Sequence, residues 1–448
     1  MPSDLEAARD AFIEASFWHG SMRAADAALA AHPEVASSDV YTAAILADDA
    51  AVHRFIGEDS AQVTAKGGPR QVDPLTYLCF STYLRNDRER SDAFVRTARV
   101  LLDAGADPNT GFFDDSHQPN PERETVLYAA AGVAHHAGVT RLLLERGADP
   151  NDGEVAYHAP EGWDNGALEV LLETGKLNPD TLTTMLARKA DWHDLEGMRL
   201  VLDHGADVNR MSLWGKTALH NALLSSNSLA MIDLLLDRGA DPSIVAKDLR
   251  HGGDAAVGRS SSALAARRGR SDVLTSLERR GIPLDLDPLD SLIALCARGD
   301  AVGAQAMIAR NPSLLGQMLE EGPTLIAEFA GSNNPAGVGV LLDLGVPIDS
   351  RYGGDAYMGI AKDSTALHAA AWRGWHDVVE LLVARGANVY ARNAKGETPL
   401  MLAVRATVDS YWTVRRSPRS VKALLDAGAS REGVRVPTGY ADVDALLE

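Results

Sequence analysis

Side chains that can transfer protons or bind metal ions cluster in one part of the sequence. Imidazole and carboxylate groups act as general bases and as metal ligands. The residues of this kind are Asp114, Asp115, His117, His135, His136, His158 and Glu161. No pair of them has a spacing that forces two ligands together, as two histidines four residues apart on one helix would. We therefore expect no catalytic residue, no metal site and no cofactor, and acid–base chemistry stays open only as an alternative.

The charge and the cysteine content indicate which partners the chain can bind and in which cellular compartment it is expected. The 448 residues include 62 acidic and 43 basic side chains, which gives a net charge of −19. This balance argues against nucleic acids and anionic membranes, because both attract clustered basic residues. Cys79 and Cys296 are too few for a disulfide framework. With no secretion-like start and no apolar stretch long enough to cross a bilayer, we expect a cytoplasmic protein.

One helix ending recurs along the chain and indicates which elements position these residues. Gly-Ala-Asp-Pro-Asn occurs at 105–109 and at 147–151, each time after a leucine-rich run, and related endings start at Gly205, Gly239 and Gly386. Glycine ends a helix in a left-handed conformation at low cost, and proline cannot continue a helix. The recurrence predicts one array of stacked helical repeats rather than several globular domains.

A second motif recurs upstream of these endings. It reads Thr-Ala-Leu-His at 217–220 and 365–368, and Thr-Pro-Leu-Met at 398–401. The threonine hydroxyl can cap the first amides of a helix, and proline suits the first helical position. Because both motifs recur in register, the chain closely resembles the ankyrin-repeat family over about residues 38–430.

The resemblance implies an all-α solenoid of about a dozen helix-turn-helix repeats with short β-hairpin-like fingers. Residues 1–37 and 431–448 are expected to be helical caps on a single solenoid domain at 38–430. In the family, the finger tips and the concave helix surface bind partners. The family's helix-start histidine is structural, so the resemblance implies that His220 and His368 form hydrogen bonds between repeats.

Insertions lengthen three of the predicted fingers, near 110–123, 243–259 and 350–363. There the glycine ending and the next helix start are 20 or 21 residues apart, against 12 in regular repeats. The aromatic residues of the first and third fingers are Phe112, Phe113, Tyr352 and Tyr357. Such fingers either fold back onto the solenoid or contact a ligand, since exposed aromatic surface is unfavourable. A further insertion between two helices, at 407–418, either grips a partner or covers the C-terminal edge.

One repeat is expected to lack its first helix. Pro160 and Gly162 make a regular helix unfavourable at 153–164. A missing helix would leave a notch that carries Tyr157, His158, Glu161 and Trp163, with the finger at 111–122 one repeat away. This notch is the strongest pocket candidate that the sequence offers.

These observations favour a non-catalytic scaffold that recognises a protein, and that partner is expected to be basic or neutral. Two alternatives stay open: a small-molecule site or enzyme in the notch, and an acidic inhibitor or immunity-type protein for a basic target. The candidate binding residues are Phe112, Phe113, Asp114, His117, Tyr157, His158, Glu161, Trp163, Trp214, Tyr352 and Tyr357.

Overall fold

The computed structural model describes residues 4–116, 121–249 and 255–448. The backbone separates into two units, unit 1 at Met1–Leu213 and unit 2 at Trp214–Glu448. Within the described ranges the regular structure is short helices plus one two-stranded sheet, formed by β1 (Gly111–Asp114) and β2 (Glu122–Thr125) in unit 1. The expectation of an all-α fold is confirmed.

The helices of unit 1 are α1 (Asp4–Ser16), α2 (Met22–Ala31), α3 (Val40–Ile45), α4 (Asp49–Glu58), α5 (Pro74–Cys79), α6 (Thr82–Asn86), α7 (Ser91–Asp103), α8 (Val126–Tyr128), α9 (Ala137–Glu145), α10 (Gly153–His158), α11 (Gly166–Glu173), α12 (Pro179–Asp191) and α13 (Leu195–Asp203). The three-residue α8 continues as a π-helical turn at Ala129–Val133. Turns of 3-10 helix lie at Pro33–Ser37, Ser60–Val63 and Arg88–Arg90.

The helices of unit 2 are α14 (Ala218–Leu224), α15 (Leu229–Asp237), α16 (Ser261–Arg267), α17 (Ser271–Arg279), α18 (Pro288–Ala297), α19 (Ala301–Arg310), α20 (Ser313–Gly331), α21 (Pro335–Asp343), α22 (Ala366–Trp372), α23 (His376–Ala384), α24 (Pro399–Val408), α25 (Arg419–Asp426) and α26 (Ala441–Leu447). A 3-10 helix at Tyr411–Arg415 lies inside the insertion predicted at 407–418. None of the helices in the described ranges combines the length and the apolar character needed to cross a bilayer.

The helix α9 shows why these sequences form short amphipathic helices. The side chain of His136 accepts a hydrogen bond from the amide of Val139 at 3.1 Å and caps the first turn. Leu142 and Leu143 are buried, and burying a leucine contributes about 2 kcal/mol. Gly147 lies just after the end of α9 and has φ at +97°, a conformation that costs glycine little. His136 therefore has a structural role in the turn.

The helix-start histidines connect neighbouring repeats, as the family resemblance implies. The ring Nε2 of His220 donates to the carbonyl oxygen of Arg259 at 3.1 Å, and that of His368 donates to the carbonyl oxygen of Glu397 at the same distance. In both residues Nδ1 lies within 2.9 Å of the hydroxyl oxygen of the capping threonine. Burial lowers the pKa of His368 to about 4, so the ring stays neutral. The predicted structural role is confirmed.

The prediction that residues 153–164 contain no helix is wrong for the first half of that segment. The helix α10 covers Gly153–His158, and the side chain of Asp152 caps it by accepting from the amide of Glu154 at 2.8 Å. Pro160 lacks the amide that a helix would use at that position, and its ring crowds the carbonyl of Ala156. These effects prevent a helix from continuing through 160 but permit one that ends at His158. The chain turns after this point, and Gly162 has φ at +74°.

Candidate functional site

The first finger directs its two phenylalanines differently. In the hairpin, Phe112 pairs with Glu124 and Phe113 pairs with Arg123, and successive residues of a strand point to opposite faces. The ring centroid of Phe112 lies 5.1 Å from that of Phe80, whereas 62% of Phe113 is exposed. Both alternatives from the sequence are therefore realised in one hairpin, since Phe112 folds back and Phe113 points outward.

Aromatic rings from four elements surround the buried side of this finger. The ring centroid of Trp18 lies 5.5 Å from that of Phe112. The ring of Phe80 lies 6.1 Å from that of Tyr128, which in turn lies 5.3 Å from the ring of His158. No sequence signal selects Trp18, because it follows α1 and lies far from the finger in sequence. These rings fix the position of the finger on unit 1.

Glu124 is a functional candidate that sequence reasoning missed. It is 3% exposed, and its Oε2 has no hydrogen-bond partner in the described part of the chain. Burial, together with the nearby carboxylates Glu154 and Asp114, raises the pKa of Glu124 to about 7, and His158 opposes this shift. The signal that could have identified this residue is its position: a hairpin that pairs Glu124 with Phe112 places the glutamate on the same face as a phenylalanine. A buried, unpaired carboxylate of this kind is costly unless a cation reaches it.

His158 joins the two carboxylates of the predicted notch. Its Nε2 lies 3.3 Å from Oε2 of Glu154, and its Nδ1 lies 3.2 Å from Oε1 of Glu161. Burial lowers the pKa of His158, but the two carboxylates outweigh burial and raise the pKa to about 9. Glu161 also accepts from Nη2 of Arg188 at 2.7 Å. His158 is thus charged at neutral pH and does not offer a free base.

The turn after α10 is fixed by a buried lysine. Lys189 is fully buried, and its Nζ donates to Oδ2 of Asp194 at 2.8 Å and to the carbonyl oxygen of Gly162 at 3.1 Å. Trp163 stands on this turn with 64% of its surface exposed, and its ring meets that of Trp192 edge-on at 5.8 Å. The turn therefore presents an indole to solvent from a rigid base.

The other predicted site residues divide between packing and exposure. In unit 1, Tyr157 lies under the Arg188 guanidinium at 4.0 Å, and Asp114 accepts from the hydroxyl of Ser116 at 2.6 Å. His117 lies outside the described residues. In unit 2, Trp214 is half-buried, Tyr352 is buried and Tyr357 is 58% exposed. Tyr352 packs with Met358 and Trp412, so its expected role as a contact residue gives way to a packing role.

No group of three or more His, Cys, Asp or Glu side chains within the described ranges is arranged to hold a metal ion. A cavity of about 270 Å³ lies at the base of the first finger and meets the segment 153–164 only at its first residue, because its wall includes Arg123, Asp149, Asp152 and Gly153. The aromatic and ionisable side chains of unit 1 thus form a surface with one exposed aromatic on the finger and one on the turn.

Comparison with known proteins agrees with this architecture. Sequence models of the ankyrin repeat match at three places: "Ankyrin repeats (3 copies)" at 326–431, "Ankyrin repeats (many copies)" at 185–236 and "Ankyrin repeat" at 122–153. The chain contains ankyrin repeats at these positions. These matches lie in both units and include the first finger's second strand, so the repeats are those that the two sequence motifs predicted.

Individual proteins resemble the chain only over a short segment or at low identity. An L-asparaginase from Dirofilaria immitis is 34% identical over 131 residues, which is 26% of this chain and 21% of that protein. The chain therefore spans about a fifth of that relative's length. Among solved structures, the ankyrin repeat domain of human ASB11 is 20% identical, with 68% of this chain and 99% of that chain covered at a TM-score of 0.24. The ankyrin repeat domain of Bcl-3 is 22% identical, with 54% and 97% covered at a TM-score of 0.21.

Proposed function

We propose that unit 1 binds a protein partner through its first finger and the adjoining acidic surface, and that the partner supplies a basic side chain. Ankyrin repeats generally mediate protein–protein interactions, which supports the general role. The observation that carries the specific proposal is Glu124, a carboxylate that is 3% exposed and whose Oε2 lacks a hydrogen-bond partner among the described residues.

The surroundings of Glu124 favour a cation. Glu154 and Asp114 add negative charge beside it, and Phe112 stands opposite it in the hairpin. A lysine or arginine from a partner would lower the pKa of Glu124 and would also benefit from neighbouring aromatic faces. The charge of −19 on the whole chain adds long-range attraction for such a partner.

Phe113 supplies the apolar anchor of the proposed interface. It is 62% exposed on a finger whose opposite face is fixed by aromatic packing. A rigid finger loses little conformational entropy on binding, and a large aromatic side chain is typical of the residues that dominate interface energies. The anchor and the carboxylate lie on opposite faces of the same hairpin, so the partner must contact both faces of the finger.

The matched pair Phe113→Ser and Val302→Ser tests the anchor. Val302 is 79% exposed on α19 and lies far from the finger in sequence. Both variants are expected to unfold like the native chain, since neither side chain is buried. Phe113→Ser is expected to abolish capture of the partner that the native chain retains, and Val302→Ser is expected to preserve it. Equal capture by both variants would reject the finger as the interface.

Salt dependence and Glu124→Gln test the basic character of the partner. Binding of the captured partner is expected to weaken steeply with added salt, because exposed charges are screened. Glu124→Gln is expected to reduce affinity about tenfold or more, since the partner's cation loses its buried counter-charge. Salt-independent binding, together with an unchanged affinity of Glu124→Gln, would exclude a basic partner and the inhibitor alternative alike.

The small-molecule alternative at 153–164 has weaker support. Both ring nitrogens of His158 already face carboxylates, and Glu161 also pairs with Arg188. A ligand would have to displace these ion pairs before it met a free polar group. These ion pairs favour the protein-binding proposal over a small-molecule site at 153–164.

A further inference from the structure

Three arginines come together in unit 2. Arg268 follows α16, Arg373 follows α22, and Arg415 ends the 3-10 helix inside the insertion at 407–418. Arg268 is 3% exposed and Arg373 is 2% exposed. Arginine is rarely buried to this extent without paired charges, so the counter-charges around the cluster decide what it can do.

Among the described residues, two carboxylates lie beside the three guanidinium groups, and both form ion pairs with Arg268. Its Nη1 lies 3.2 Å from Oε2 of Glu328, and its Nη2 lies 3.5 Å from Oδ2 of Asp355. Arg415 instead donates to the carbonyl oxygen of Arg373 at 2.8 Å and lies over the ring of Trp375 at 3.5 Å. Three cations against two carboxylates leave an excess of one positive charge.

Arg373 carries this excess. Its guanidinium stacks over the Trp412 ring at 4.9 Å, and its buried Nε has no hydrogen-bond partner in the described part of the chain. The Nε of Arg268 is unpartnered in the same sense. Burial and the neighbouring charges of Arg268 and Arg415 together lower the pKa of Arg373 to about 9, against the opposing effect of the two carboxylates, and the group stays charged at neutral pH. Buried donors without partners are rare and indicate a missing acceptor.

We propose that Arg268, Arg373 and Arg415 form an anion-binding site whose ligand is a small oxyanion, with a carboxylate or phosphate group. Such a group would accept from the unpartnered Nε–H donors and would balance the excess charge. The planar guanidinium fork suits oxyanions because it can offer two parallel donors. The near-complete burial of Arg373 favours a free small anion over a side chain of a protein partner. This site is independent of the partner surface proposed for unit 1.

The full chain is to be titrated calorimetrically with sodium phosphate and, separately, with sodium acetate, at constant ionic strength maintained with a bulky inert salt. The proposal predicts saturable binding of one anion per chain and a rise of the thermal midpoint with its concentration. Saturation by phosphate assigns a tetrahedral oxyanion, and saturation by acetate assigns a carboxylate. No saturable binding of either anion would overturn the proposal.

Substitutions decide whether the arginine cluster is responsible. Arg373→Met removes the charge, and Arg373→Lys keeps the charge but loses the fork, so the lysine variant remains informative if the methionine variant does not fold. Both are expected to bind the anion at least about tenfold more weakly. The control is Arg385→Met, which removes an exposed arginine of unit 2 that is paired with Asp343, and it is expected to bind as the native chain does. Native-like binding by Arg373→Lys, or equal weakening in the control, would overturn the proposal.

Discussion

The first finger of unit 1 and the third finger of unit 2 result from insertions of the same kind, yet they use their aromatic residues differently. The first is a two-stranded sheet that leaves Phe113 in solvent and buries Glu124, whose Oε2 has no hydrogen-bond partner among the residues that the structure describes. The third is joined by two isolated bridges and buries Tyr352 and Met358 against Trp412. The comparison shows that equal insertion length does not determine whether a finger serves contact or packing.

The two fingers differ because only the first has regular strand pairing. In the first finger, regular strand pairing forces neighbouring side chains to opposite faces, so one phenylalanine must remain outside. In the third finger, the amide and carbonyl of Asp355 both bond to Ile360, which closes a small loop. The indole of Trp372 donates to the carbonyl oxygen of Met358 at 2.7 Å and holds that loop against α22. Two of the predictions below separate packing from contact in each finger, and two test the charges beside the first finger.

The largest effect is expected in the third finger. Tyr352→Ala removes a ring that is only 7% exposed, so it should lower the free energy of unfolding of unit 2 by about 3 kcal/mol. The control Tyr357→Ala removes a ring that is 58% exposed and should cost less than about 1 kcal/mol. Urea unfolding of both variants measures the difference, and equal losses would mean that this finger does not pack as described.

The corresponding pair in the first finger is Phe112→Ala and Phe113→Ala. Phe112 contacts the rings of Trp18 and Phe80, so its loss should cost about 2–3 kcal/mol in the unfolding of unit 1. Loss of the exposed Phe113 should cost less than about 0.5 kcal/mol. Should the exposed phenylalanine prove as important for stability as the packed one, the contrast between the two faces of the hairpin would fail.

Glu124→Gln should stabilise unit 1 in a pH-dependent way. The pKa of Glu124 is raised in the folded chain to about 7, so the folded state holds its proton after the unfolded state has released it. The penalty is therefore absent below about pH 4.3, grows up to pH 7 and is complete above it. We expect a gain of about 2 kcal/mol at pH 8 and none at pH 4. Thermal unfolding across this range checks the sign, and a gain that is the same at both pH values would contradict it.

His158→Gln should show the opposite pH dependence and the smallest effect. The two carboxylates raise the pKa of His158 in the folded chain to about 9, so its stabilising contribution is complete below about pH 6.5 and is lost as the pH rises through 9. We expect a loss of about 1 kcal/mol at pH 6 that shrinks toward pH 10. A loss that grows with pH would mean that the ring is neutral in the folded chain.

Much of the fold could be predicted because its signals are local. The glycine endings and the threonine caps determine helix boundaries within a few residues, and the His220 bridge between repeats follows from the same motif. The sequence expectation fails at α10 because Pro160 prevents a helix from continuing through its own position but leaves room for a short helix that ends before it, at His158.

The site was less predictable because its decisive features are long-range. Glu124 becomes a candidate only once the hairpin register places it opposite Phe112 and the fold buries its side chain away from solvent. The arginine cluster depends on Arg268 and Arg373, which are more than a hundred residues apart in the sequence. Pairing and lack of pairing between such side chains cannot be derived from spacing along the chain.

The most direct test of the proposed interface is a photo-crosslinking experiment on the full chain. A photoreactive phenylalanine analogue is placed at position 113 and, as a control, at position 302, where native Val302 is 79% exposed. We predict that the analogue at 113 crosslinks to one discrete protein, that the crosslink maps to a segment with a lysine or arginine, and that Glu124→Gln reduces its yield. Crosslinks of equal yield from both positions, or a discrete crosslink from 302 alone, would contradict the proposal that the first finger binds the partner.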